Sequence, residues 1–135
     1  MDSVISQKVQ DFEIVVVNDG STDKSADIVK NFSDTRIRLI NQKNAGVSVA
    51  RNRGINEAKS ELIAFLDADD EWMPDYLETI LRLREKYPCA GLYATSIKTE
   101  FIDNVLMDKD EELRKLIPDE GLILNYFSKP ERCIT

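Results

Sequence analysis

Two apolar runs that break off abruptly into acidic residues constrain this chain more than any other feature. Ile14-Val15-Val16-Val17 is continuous and β-branched rather than alternating, the composition of a strand buried on both faces of a parallel sheet. It stops at Asn18-Asp19-Gly20-Ser21-Thr22-Asp23, a dense cluster of turn and helix-capping residues. Leu62-Ile63-Ala64-Phe65-Leu66 is a second such run, and it stops at Asp67-Ala68-Asp69-Asp70. Between them Ile37, Leu39 and Ile40 make a short strand, followed by the turn Gln42-Lys43-Asn44-Ala45-Gly46.

Helical faces separate these strands. Ser25, Ile28, Val29 and Phe32 follow the i, i+3, i+4, i+7 spacing of one helix face. A second helix is predicted over residues 47–58, where Ala50, Gly54 and Ala58 form a strip of small residues that lets a helix lie close to a sheet. Pro74 suits the opening of a third helix, with Leu77, Ile80 and Leu81 on its apolar face and Pro88 closing it. Alternation of strands with helices implies βαβ crossovers and a three-layer α/β domain with a mostly parallel sheet. Ligands in such sheets bind beyond the carboxyl ends of the strands, where both acidic clusters lie. Beyond Gly91 the pattern weakens: residues 92–102 alternate in part as a further strand, 110–117 read as a helix, and 123–127 are ambiguous. Residues 3–7 read as a short helix with no strand before it, and Arg132-Cys133-Ile134-Thr135 as the entry to a strand that does not follow, so the chain reads as a fragment.

Composition excludes several kinds of function. A length of 135 residues fits a single domain over 1–135, and 42% hydrophobic residues suffice for its core. A net charge of -7 repels polyphosphate backbones, so nucleic acid is not an expected partner. Histidine is absent, which removes Ser/His/Asp and Cys/His catalysis and every histidine metal site. Cys89 and Cys133, far apart in sequence, read as reduced thiols of a cytosolic protein. No run of about 18 apolar residues is present to span a bilayer, nor the residue order of a signal peptide at the N-terminus. The five glycines are too dispersed for G-x-G-x-x-G or a P-loop, which disfavours dinucleotide dehydrogenases and P-loop NTPases.

The chemistry then rests on carboxylates and one arginine. Asp67, Asp69 and Asp70 crowd like charges into four positions, and a hard divalent cation, Mg²⁺ or Mn²⁺, would relieve their repulsion. Solvation of an ordinary acidic turn explains the same D-x-D spacing about as well. Asp19 can accept hydrogen bonds from a base or ribose; its competing role, capping the next helix, is already served by Ser21, Thr22 and Asp23. Gly20 leaves room for a close approach to the backbone. Arg51, one turn into its helix, is disfavoured by the macrodipole and calls for an anionic partner, either a diphosphate or a salt bridge to Asp19 or Asp67. Asn44 could hydrogen-bond a base edge or serve the turn itself, and Trp72 suits a core or lid anchor.

Three stretches in register resemble the family 2 glycosyltransferases of GT-A fold: residues 11–23, then Asn44-x-Gly46-x-x-x-Ala50-Arg51-Asn52-x-Gly54, then Phe65-Leu66-Asp67-Ala68-Asp69-Asp70-x-Trp72-x-Pro74. The resemblance implies a Rossmann-like nucleotide-diphospho-sugar transferase domain, here its donor-binding half and lacking the first strand of the sheet. It implies a nucleotide-sugar pocket formed with Asp19 at the base, Asn44 and Arg51 along the wall and Asp67 near the ribose, with Asp69 holding the metal. The implied reaction is transfer of a hexosyl group, with inversion, from a UDP-sugar or similar donor to the hydroxyl of a saccharide, lipid-linked or protein acceptor. The resemblance implies that the general base, an Asp or Glu, lies downstream of where this chain stops; Glu120 and Glu131 are carboxylates that no motif ties to that role. A cytoplasmic setting, peripheral to the inner face of a membrane, and a role in polysaccharide biosynthesis accompany the resemblance. A sheet without its first strand would expose an apolar edge that invites self-association. Two competing readings are a receiver-like signalling module, which also presents an acidic metal pocket, and a non-catalytic nucleotide-binding domain that keeps the fold.

Overall fold

In a computed structural model of the chain, residues 1–95 are described. They fall into two compact units, the first spanning Met1–Glu78 and the second opening at Thr79. The element order is α1 (Asp2–Ile5), β1 (Ile14–Asp19), α2 (Ser25–Lys30), β2 (Ile37–Gln42), α3 (Val47–Glu57) and α4 (Tyr76–Lys86).

β1 and β2 pair in parallel, from Ile14 opposite Ile37 to Asp19 opposite Gln42. Parallel neighbours need a crossover, and α2 supplies it. Asp23 accepts the Ser25 N–H at 2.9 Å at the start of α2, so that end is served without Asp19. α3 packs on β1, with Ala50 and Gly54 half-buried while most of its other residues are exposed. A Cβ placed on Gly54 would lie 3.7 Å from Val17 Cγ2, which is ordinary van der Waals contact. The strip of small residues therefore does face the sheet, as its spacing implies. Together the parallel pair and its helices form the α/β, GT-A-like arrangement expected for the chain.

Four expectations need correction. Residues 62–66 form no strand, and the sheet of the described residues has two strands, β1 and β2. An apolar run becomes a strand only where a neighbour offers backbone partners; β1 has a strand on one edge, β2, and none among the described residues pairs with 62–66. Phe65 is accordingly half exposed. For the same reason β1 is not buried on both faces: Ile14 is buried, while Val15, Val16 and Val17 are only partly so. The helix expected to open at Pro74 begins two residues later, at Tyr76. Of the strand expected over 92–102, residues 92–95 are described and are not in a strand. The helix over 110–117, residues 123–127, Glu120, Glu131 and Cys133 lie outside the described residues. Among the described residues, no helix is long and apolar enough to cross a membrane.

Charged pairs tie the other ends of these elements together. Glu13, just before β1, accepts the Lys59 N–H at 2.6 Å and an Arg38 Nη2–H at 3.2 Å. Arg38 also donates to the Glu57 carbonyl at the end of α3. The Lys59 amide, ahead of the Arg38 guanidinium, lowers the Glu13 pKa. Asp34 and Arg36 form a bidentate pair, with the Arg36 guanidinium stacked 4.3 Å from the Phe12 ring centroid. Arg36 holds the Asp34 carboxyl down at about 2.

Because Gly54 has room for a methyl group, Gly54→Ala should stabilise the chain by up to about 1 kcal/mol through helix propensity. Urea denaturation checks this; a loss of stability would mean that a methyl group at residue 54 comes closer to Val17 than the 3.7 Å seen here.

Candidate functional site

The carboxyl ends of β1 and β2 carry a polar ladder in place of apolar pairs. Asn18 stands opposite Asn41 and Asp19 opposite Gln42. Asn18 Nδ2 donates to Asn41 Oδ1 at 2.9 Å, while Asn18 Oδ1 accepts the Ser21 N–H at 3.0 Å and bends the chain out of the strand. Asp19 binds more. Its Oδ1 accepts from Gln42 Nε2 at 2.7 Å and from the Ala45 N–H at 2.9 Å, and its Oδ2 accepts from the Gly46 N–H at 2.8 Å. Hydrogen bonds to a carboxylate favour its charged form, so Gln42 first, then the Ala45 and Gly46 amides, lower the Asp19 pKa.

The Asp19 carboxylate thus grips the loop that leads into α3. Glycine geometry lets it do so: Gly46, at the N-cap of α3, has φ of 91°, a conformation costly for other residues. Gly20 has φ of 75°, and a Cβ there would sit 2.7 Å from the Asn44 backbone nitrogen. The close approach that Gly20 permits is therefore made by the chain itself, at Asn44. The Asn44 backbone lies against Gly20, and its exposed side chain makes no hydrogen bond to another described residue.

Arg51 lies one turn into α3. Its Nη2 donates to both oxygens of Asp67, at 3.0 and 3.1 Å. Of the anionic partners open to it on the sequence, the structure pairs it with Asp67 and not Asp19. Both side chains are about half exposed, 49% and 54%, and an ion pair so solvated contributes little, about 0–1 kcal/mol. It is a contact that a stronger anion can displace. Asp70 closes a tight turn by donating its N–H to the Asp67 carbonyl at 3.2 Å. The side chains of Asp69 and Asp70 are exposed and make no hydrogen bond or ion pair to another described residue. Trp72 stacks on Tyr76 at 4.6 Å between ring centroids, which anchors the chain beyond the acidic turn, and burial raises the Tyr76 pKa.

Of the five candidates, Asp19 and Asn44 belong to one hydrogen-bonded loop, Arg51 and Asp67 to one ion pair, and α3 connects the two groups. Asp69 stands two residues beyond Asp67 with its carboxylate uncommitted. Among the described residues no group of three or more metal-ligating side chains is gathered. The donors that remain, Asp69 and Asp70, are hard oxygens, which suits a hard divalent cation that takes its other ligands from water and phosphate. Asn18, Gln42 and Gly46 contribute to the site without having been singled out as ligand-binding positions. The residue-by-residue register of β1 on β2 would have exposed Asn18 and Gln42, and a lone glycine before a helix was the signal for Gly46.

A methyl group at residue 20 would collide with the Asn44 backbone and strain a positive φ, so Gly20→Ala should destabilise the chain by at least about 1–2 kcal/mol. Urea denaturation with unchanged slope checks it; a neutral effect would mean that the loop at Asn44 is not held against β1.

Residues 1–129 match the model of glycosyl transferase family 2. The chain is 48% identical over 89 residues to the glycosyltransferase GlyA of Streptococcus pneumoniae, covering 64% of this chain and 13% of that protein. It is 47% identical over 85 residues to the uncharacterized glycosyltransferase YibD of Escherichia coli, covering 62% of this chain and 25% of YibD. Over 135 residues, 97% of this chain, it is 31% identical to the chondroitin synthase of Pasteurella multocida and covers 12% of that protein. The chain therefore spans a quarter or less of the length of these relatives. With a family match over nearly its whole length, the chain belongs to the family 2 glycosyltransferases.

Proposed function

We propose that this chain is the donor-binding part of an inverting, metal-assisted glycosyltransferase that uses a nucleoside-diphosphate sugar, UDP-linked in the simplest case. The observation that carries the reading is the arrangement at the carboxyl ends of the parallel strands: Asp19 grips the loop before α3, and α3 presents Arg51 to the acidic turn. Membership of family 2 supports the transferase reading and sets the receiver-like module aside.

Each residue has a task in this reading. A carboxylate offers about four acceptor sites, and three on Asp19 are occupied by Gln42, Ala45 and Gly46. One site on Oδ2 remains to accept an N–H from the base. Asn44, with its side chain uncommitted, offers a donor and an acceptor to the edge of the same base. Arg51 exchanges its weak pairing with Asp67 for the more concentrated charge of the diphosphate, a bidentate partner suited to guanidinium. Asp67, released, accepts from a ribose hydroxyl.

Asp69, with Asp70 beside it, would hold Mg²⁺ or Mn²⁺, which supplies Lewis-acid stabilisation of the departing nucleoside diphosphate. Inversion follows from direct displacement at the anomeric carbon by an acceptor hydroxyl, deprotonated by a general base that we assign to no residue of this chain. The synthase relative, named for chondroitin, supports polysaccharide assembly as the process and a growing saccharide as the acceptor.

Calorimetric titration with UDP, UDP-sugars and GDP-sugars, with and without Mn²⁺, tests the reading. Mn²⁺ should increase the affinity for at least one of them, and Asp69→Asn should remove on the order of 10-fold or more of that gain. Metal-independent affinity, or none, would overturn the metal-assisted reading.

A further inference from the structure

Gln7 is the one polar side chain buried among the described residues, at 2% exposure. A buried amide must find partners for both its ends, and Gln7 finds them in two separate parts of the chain. Its Nε2 donates to the Ser3 carbonyl at 2.9 Å and to the Met73 carbonyl at 2.7 Å, while its Oε1 accepts the Leu77 N–H at 3.1 Å. The neighbouring Lys8 N–H donates to the Pro74 carbonyl at 3.0 Å. Residues 73–77 are thus held by the N-terminal segment at three points.

Those bonds fall at one end of the acidic turn. At Met73, the far end of the turn is held by Gln7; at Asp67, six residues earlier, the turn meets Arg51 through an exposed ion pair that the diphosphate displaces in the reading above. Between these two points the backbone's own bond is that from the Asp70 N–H to the Asp67 carbonyl. Asp69 and Asp70 therefore ride on a span whose far end, at Met73, is fixed from outside it.

We infer that Gln7 is a positioning residue: it fixes the far end of the acidic turn so that Asp69 meets the metal and diphosphate of the donor. The inference rests on the donor-site reading above. Gln7 does not touch the ligand, and its amide acts through Met73. Groups that orient ligating residues in this way typically change metal affinity by about 10–100-fold when they are altered.

The test combines amide hydrogen exchange with calorimetric titration of UDP in the presence and absence of Mn²⁺. It uses the full chain and two variants, Gln7→Glu, which keeps an acceptor for Leu77 and removes the donor to Met73, and Gln7→Met, which removes both. In the unmodified chain the Leu77 amide should be protected. In the variants, exchange over residues 67–77 should rise about 10-fold or more while β1 stays protected. Their Mn²⁺-dependent gain in UDP affinity should fall by about 10–100-fold with metal-free affinity unchanged. Unchanged exchange over 67–77, or an undiminished Mn²⁺-dependent gain, would overturn the role of Gln7. Loss of β1 protection in both variants would also overturn it, since Gln7 would then support the whole unit. If the unmodified chain shows no Mn²⁺-dependent binding, the metal-assisted donor reading falls, and the exchange data alone decide whether Gln7 holds the turn.

Discussion

Everything at the carboxyl ends of the strands depends on the Asp19 carboxylate closing over the Ala45 and Gly46 amides. A helix begins with N–H groups that have no partners inside it, and the segment leading into α3 has no side-chain cap of its own at Gly46. Asp19 serves that segment from another strand. Its partner in the ladder, Gln42, braces the carboxylate from the side. Gly20 removes the side chain that would hold Asn44 away. Two stretches far apart in sequence, residues 19–20 and 42–46, thereby become one corner of the molecule.

That corner combines firm and loose contacts. Asp19 is committed to three donors, two of them backbone, and these hold a loop in place. Arg51 and Asp67 are half exposed and weakly coupled, and in the proposed reading they exchange partners when the diphosphate arrives. In the proposed donor reading, a hydrogen-bonded frame carrying displaceable charges suits a diphosphate, because binding energy is then not consumed in ordering the frame. Gln7 extends the frame to the far side of the acidic turn.

Much of this was legible in the sequence. The β-branched run at 14–17 and the apolar positions at 37, 39 and 40 identified β1 and β2, and Gly54 in its strip marked the face of α3 that meets Val17. The family was legible because three motifs stand in fixed order. Residues 62–66 misled, because an apolar run records a preference for burial and says nothing of whether a neighbouring strand is within reach. Asp19 was recognised as surplus to the capping of α2, but its partners lie 23 to 27 residues away and depend on the register of β1 against β2. Gln7 carried no signal, since a lone glutamine near a terminus reads as surface until its amide is seen between two carbonyls and an N–H.

The grip of Asp19 on the loop is tested most directly by following the amide ¹⁵N and ¹H shifts of Ala45 and Gly46 through acid titration. The Asp19 carboxyl, lowered from its ordinary value of 3.8 chiefly by Gln42 and then by these two amides, contributes stability that is complete above that value and is lost as the pH falls through its folded pKa. Both amides should therefore shift together, at one apparent pKa below 3.8, and the shift should vanish in Asp19→Asn. Amides that titrate at or above 3.8, or that do not respond at all, would contradict the account.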